Sequence, residues 1–235
     1  MKIIQVRDVT FVYALPGQTR DVVTLFDHLS LDISSGEFIV LTGEDGSGKS
    51  TLTRLLNGLL QPTSGVILIE DMDTRDQSCC WEIRRRVGVV FQNPDDQIVG
   101  TTVAEDVAFG PENLGLASET IRERVHDALR IVGMLDAADS APHLLNRVQQ
   151  LKVSLAALLA MQPSCIVLDQ ATSGLDPAGY AEIIHLLQRL NRETGLTVLI
   201  MAQPMDEHIS ADRIIRLHSG RPVITGEPPN PASTC

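Results

Sequence analysis

The 235-residue sequence predicts an α/β fold built around a mainly parallel sheet. Three observations point there. Short runs of apolar and β-branched residues alternate with longer stretches of helical periodicity. Two of those runs, Cys165–Leu168 and Thr197–Met201, are apolar on both faces, as strands covered by helices on either side must be. A third, Glu37–Thr42, leads straight into a glycine-rich loop and then an amphipathic helix. A chain of this length suits one substantial domain, and 43% hydrophobic residues are enough for its core.

Taken in order, Ile3–Tyr13 and Leu29–Ile33 alternate in polarity and read as strands ahead of Glu37–Thr42. After the loop, Leu52, Leu55, Leu56 and Leu59 recur on one helical face. Gly65–Ile69 and Val87–Phe91 are further short strands. From Asn93 to about Leu145 helix-type segments such as Ser118–Val132 dominate, with breaks expected at Gly110–Pro111 and Ala141–Pro142. This stretch reads as a helical insertion. Strand Cys165–Leu168, helix Pro177–Glu193 and strand Thr197–Met201 follow, then a strand-like pair, Arg213–His218 and Arg221–Thr225. The expected organisation is one domain over 1–226, its core formed by 1–92 and 160–226 and its helical subdomain by about 93–159. The tail, 227–235, is proline-rich and expected to be disordered. No internal repeat is present.

Composition narrows the function. Lysine and arginine number 19 against 30 acids, a formal charge of −11, which argues against binding nucleic acid backbones. The cysteines, Cys79, Cys80, Cys165 and Cys235, form no zinc pattern and read as free thiols of a reducing compartment. The start MKIIQVRDV lacks an apolar signal core, and the longest apolar stretch, near Val153–Met161, is too short to span a bilayer. The expectation is a soluble, cytoplasmic chain that reaches a membrane only through a partner.

The loop Gly43-Glu-Asp-Gly-Ser-Gly-Lys-Ser-Thr51 fits the pattern GxxxxGK[ST]. Gly43, Gly46 and Gly48 let backbone N–H groups approach phosphate without a Cβ in the way, and Ser47 and Thr51 line the same turn. Lys49 supplies a cation for the outer phosphates, the Ser50 hydroxyl can ligate magnesium, and the following helix adds its N-terminal dipole. Glu44 and Asp45 are expected to face solvent. About 120 residues on, Cys165-Ile-Val-Leu-Asp169 is an apolar strand ending in an acid, the arrangement that holds magnesium, through water, in phosphate-loop NTPases.

Over nearly its whole length the chain resembles an ATP-binding cassette (ABC) ATPase. That resemblance implies an N-terminal antiparallel β subdomain, ATP and Mg²⁺ as cofactors, and an adenine-stacking role for Tyr13. Gln92, in Val90-Phe-Gln-Asn93, matches the glutamine that meets magnesium and senses the membrane subunit; Ser173-Gly-Leu-Asp-Pro177 matches the loop that crosses the dimer interface. The stretch from Phe91 to Asn113 resembles ATPase subunits of energy-coupling factor importers of the cobalt, nickel and vitamin type, where it docks a coupling helix. Asp95, Asp96, Glu105 and Asp106 give it the sign that suits a basic partner.

Three positions depart from the family. Gln170 follows Asp169 where a glutamate polarises the attacking water; it can hold a water but cannot take a proton. A positioned base is worth about 10²–10⁴-fold, roughly 3–5 kcal/mol of barrier. Gln203 stands where a histidine contacts the γ-phosphate, and His208 reads as a surface residue. Leu145-Asn-Arg-Val-Gln149 replaces the signature motif; Asn146 and Gln149 frame it, Arg147 is a candidate phosphate partner, and Arg147 and Val148 replace glycines where backbone approaches closely.

The leading reading is therefore a nucleotide-binding subunit of an energy-coupling factor importer, peripheral on the inner face of the membrane and paired with a more active paralogue. Its partners would be that second ATPase, as a heterodimer, an integral membrane coupling subunit and, through it, a substrate-binding membrane subunit. Two alternatives stay open: a catalytically silent nucleotide-gated regulator or scaffold, and a self-sufficient ATPase that recruits Asp206 or Glu207 as base.

Overall fold

The strands divide between two sheets in the computed structural model, which describes residues 1–14, 22–203, 208–218 and 220–225. The smaller sheet holds β1 (Lys2–Ala14), β2 (Val22–Ser34), β4 (Ser64–Ile69) and β5 (Met72–Asp73) in the order β2-β1-β4-β5, antiparallel throughout. The larger holds β3 (Phe38–Thr42), β6 (Val87–Val90), β7 (Cys165–Asp169), β8 (Thr197–Ala202), β9 (Arg213–His218) and β10 (Arg221–Thr225) in the order β10-β9-β3-β8-β7-β6. Every pair in it is parallel except β10 with β9. The mainly parallel sheet and the antiparallel N-terminal layer are both present.

The strands of the larger sheet are buried on both faces because alternate residues feed two separate cores. Val40, Val90, Ile166, Leu168, Val198 and Ile200 pack toward the helices α3 (Val103–Asn113), α4 (Ser118–Val132), α5 (Arg147–Ala160) and α6 (Pro177–Thr194). Ile39, Leu41, Val87, Val89, Val167, Leu199 and Met201 pack toward β1, β2 and the helix α1 (Lys49–Leu56). On α1, Leu52, Leu55 and Leu56 are fully buried, each contributing about 2–3 kcal/mol relative to exposure. Cys165 sits in this core, and burial pushes its thiol pKa up to about 12.

Several local expectations need correction. Leu59 lies beyond the end of α1 and is 47% exposed, because the chain turns at Asn57 and Gly58. Strand β2 begins at Val22, well before Leu29, and neither β5 nor α2 (Cys80–Arg86) was anticipated. Gly110–Pro111 does not break the helix. Pro111 falls in the last turn of α3, where its missing N–H costs one bond only, and its side chain is buried. A capping box between Thr102 and Glu105 secures the other end of α3, and Gly110 lets Met161 pack closely. The break at Ala141–Pro142 is real and contains a short 3-10 turn over Pro142–Leu144. Asp106 is no surface acid: it is 6% exposed, and its Oδ1 accepts from the backbone of Val99 at 2.7 Å and Gly100 at 3.0 Å. Among the described residues no helix is long and apolar enough to cross a membrane. The expected disordered tail lies outside the described residues.

Candidate nucleotide site

Strand β3 delivers the loop 43–48 at its end, and α1 starts immediately after it. Gly48 carries φ +104°, a left-handed conformation, and a Cβ there would lie 2.7 Å from ring carbons of Phe26. A Cβ on Gly43 would lie 2.5 Å from the Leu217 backbone oxygen and 2.6 Å from Ser47 Oγ. Glycine is thus required at both ends of the turn. Glu44 and Asp45 are exposed, as expected.

Inside the loop, Lys49 is 3% exposed and its Nζ donates to the backbone oxygens of Gly43 and Glu44. Burial lowers its pKa, and the negative charges of Asp45 and Asp169 oppose that shift. Ser47 Oγ is buried and has no hydrogen-bond partner, so the cradle holds an unanswered hydroxyl and a desolvated cation together. Both suit an incoming anion.

One step away, Ser50 Oγ donates to Asp169 Oδ1 at 2.9 Å. Asp169 closes β7 and is 4% exposed; burial raises its pKa, against the pull of the Ser50 hydrogen bond and of the charges on Arg54 and Lys49. A hydroxyl and a carboxylate at this spacing form a hard-oxygen donor pair of the kind magnesium takes. The residues present therefore fit a magnesium-bound nucleoside triphosphate.

A cavity of about 220 Å³ covers the loop, lined by Tyr13, Leu25, residues 46–51 and Gln170. The Tyr13 hydroxyl lies 3.0 Å from Thr51 Oγ1, and its ring meets Phe11 edge-on at 4.9 Å. That places an aromatic face, 38% exposed, at the cavity mouth. Gln170 holds φ +55°, with its N–H donating to the Met201 oxygen at 3.1 Å.

Gln170 also lines a larger neighbouring cavity of about 800 Å³, together with Gly174, Tyr180, Gln203 and His208. Gln203 is on that side and not around the loop cavity. The rings of His208 and Tyr180 lie 6.2 Å apart. Asp206 and Glu207 lie outside the described residues.

Gln92 is exposed and does not line the loop cavity; its backbone oxygen accepts from Arg147 Nη2 at 2.9 Å. Asn146 caps α5 by accepting from Gln149 N at 3.0 Å, and the Gln149 side chain accepts from Asn146 N at 3.0 Å. A Cβ on Gly179 of α6 would lie 2.4 Å from Val148 Cγ2. Leu25 and Phe26 beside the loop went unremarked in the sequence, where they are two apolar residues of an ordinary strand. Gln97, which accepts from Phe91 N at 2.8 Å and donates to Val89 O at 3.1 Å, was equally silent.

Comparison with known proteins gives a consistent picture. Residues 26–173 match the family model for ABC transporter. The chain is 45% identical to the energy-coupling factor transporter ATP-binding protein EcfA1 of Clostridioides difficile, covering 96% of this chain and 80% of the relative. It is 50% identical to the EcfA1 of Symbiobacterium thermophilum over 86% of this chain and 70% of that one. Among solved structures, cbiO1 of Clostridium perfringens, part of the ABC transporter complex cbiONQ, superposes with TM-score 0.86 at 32% identity, covering 97% of this chain and 89% of the other. The cassette MJ0796, a dimer in a post-hydrolysis state bound to ADP and Pi, gives 0.83 at 29% identity, over 97% and 99%.

Proposed function

The chain belongs to the ABC transporter family, as an ATP-binding subunit of the energy-coupling factor kind with ATP and Mg²⁺ as cofactors, and from that membership we propose that its own phosphate loop binds Mg-ATP but barely hydrolyses it. The observation that carries this reading is Gln170. It borders the loop cavity directly after the Ser50–Asp169 pair, so the place beside the metal-binding pair carries an amide that cannot take a proton.

In this reading bound Mg-ATP supplies the scissile phosphate and most of the positive charge around it. Lys49, now bonded to the Gly43 and Glu44 carbonyls, would turn to a phosphate oxygen, and the unpartnered Ser47 hydroxyl would donate to another. Ser50 and Asp169 would hold the magnesium that comes with the nucleotide. Tyr13 offers its face to the base. Gln170 orients a water and leaves its proton in place, and Gln203 stands at the switch position without a titratable ring.

Such subunits work with membrane subunits and a second ATPase, and we extend this to a heterodimer at the cytoplasmic face of the membrane. Support comes from α5: where a partner's nucleotide would be capped, Arg147 is bonded to Gln92 and Val148 fills the notch at Gly179. A homodimer would repeat these features in both composite sites, whereas a paralogue would bring an intact signature to this chain's loop.

Phosphate release by the purified chain under saturating Mg-ATP tests the reading, with nucleotide binding measured alongside. Binding with almost no release is expected, and the Gln170→Glu, Gln203→His double variant should raise the rate at least ~10²-fold. Ordinary ATPase rates from the unaltered chain would mean that another residue activates the water.

A further inference from the structure

Arg147 is the second residue of the Asn146–Gln149 cap that starts α5, and its side chain turns back into its own subunit. Its Nη2 donates to the Gln92 oxygen at 2.9 Å. Its Nε is buried without a hydrogen-bond partner and lies 4.0 Å from where a Cβ on Gly174 would sit. One guanidinium thus bonds the start of α5 to the loop after β6 and lies beside the turn that leads into α6.

The neighbouring contacts hold this arrangement in place. Gln97 ties the other end of the loop after β6 to the Phe91 N–H and the Val89 oxygen. On the opposite side, Val148 packs against Gly179, and Lys152 forms an ion pair with Glu182 of α6. The first two turns of α5 are therefore fastened to the core at two further points. For Arg147 to reach a nucleotide held by a second subunit, it would have to release the Gln92 carbonyl and leave the crevice beside Gly174. Releasing it gives up a charged-donor hydrogen bond.

We propose that Arg147 is a positioning residue acting within its own subunit, tying the Gln92 loop to the start of α5 beside the Gly174 turn, and does not cap a nucleotide in the partner's site. Its position follows from the substitution itself. Glycine has no side chain to reach Gln92, so the link exists only because a long donor replaces it. The first consequence concerns the loop's backbone alone, and a second rests on the reading that the chain binds Mg-ATP: the loop that bears Gln92 is held in register whether or not a partner is docked.

Hydrogen exchange on the isolated, nucleotide-free chain tests the link directly. Arg147→Ala should speed amide exchange at residues 91–97 and 173–176 by about tenfold, with exchange in β3, β7 and β8 unchanged. Arg147→Lys, which keeps one donor and the charge, should recover part of that protection. If Arg147→Ala proves unstable, Arg147→Lys alone should still show a local rise confined to those two segments. Unchanged exchange in both segments would overturn the proposal, as would a uniform rise across the whole domain. Because this measurement needs no nucleotide, it decides the link even if Mg-ATP fails to bind. Affinity then separates the two directions of action: the isolated Arg147→Ala chain should bind Mg-ATP about fivefold to tenfold more weakly. An effect seen only after mixing with a second ATPase subunit would show that Arg147 serves the partner's site instead.

Discussion

At the scale of single residues, the site holds two buried groups whose charged forms burial disfavours. Burial raises the pKa of Asp169 and lowers that of Lys49. For Asp169 the native chain keeps a proton over a pH range where the unfolded chain has lost it, so stability falls as pH rises from the ordinary aspartate value through the raised one. Asp169→Asn removes that buried charge. The nucleotide-free variant should therefore melt at a higher temperature than the parent at pH 7, with the gap closing toward pH 4. Thermal unfolding with Mg-ATP should show the reverse if Asp169 holds the metal as proposed, because the variant then loses the stabilisation from ligand. Nucleotide stabilisation that survives in Asp169→Asn would remove Asp169 from the metal site. Gln170 carries a separate cost: its φ of +55° strains any non-glycine residue by about 1 kcal/mol, equally for Gln and Glu. Gln170→Glu thus changes proton chemistry with little change in backbone energy.

At the scale of elements, the most specific packing prediction concerns α5 against α6. Gly179→Ala would drive a Cβ to 2.4 Å from Val148 Cγ2 and 2.8 Å from the Asp176 carboxylate that caps α6. A loss of about 1–3 kcal/mol is expected by denaturant unfolding. Pairing it with Val148→Gly should restore part of that loss beyond additivity, since the clashing methyl is then gone. Additive effects would mean the two residues do not share the notch. This pair also shows what the sequence could and could not reveal. The strands at Cys165 and Thr197 were legible because their two-faced apolarity has one structural meaning, burial between layers. The loop at 43–51 was legible because its glycines and lysine have fixed spacing. Pro111 misled because the penalty of a proline depends on its distance from the helix end, which a pattern of residues does not mark. Asp106 misled for a similar reason: a carboxylate that caps loop N–H groups reads the same in sequence as one on the surface. The Arg147–Gln92 bond joins residues 55 positions apart, a proximity no local pattern carries.

At the scale of the whole molecule, the strand that carries the phosphate loop sits in the middle of the larger sheet. Its neighbours are β8, which pairs Val198 with Phe38, and β9, which pairs Arg213 with Ile39. Both are made long after β3 itself. Closing such a distant pairing costs chain entropy before any contact repays it. During synthesis, β3 therefore waits with both edges open until the last third of the chain has left the ribosome. Stalled nascent chains that end before Thr197 should not retain immobilised ATP, whereas chains released with residues through Thr225 exposed should. Retention by the shorter chains would show that β1, β2 and α1 suffice to shape the loop. The strand order thus predicts a timer: the loop should become able to capture nucleotide only once β8 and β9 have emerged, so that a copy lacking them leaves ATP alone.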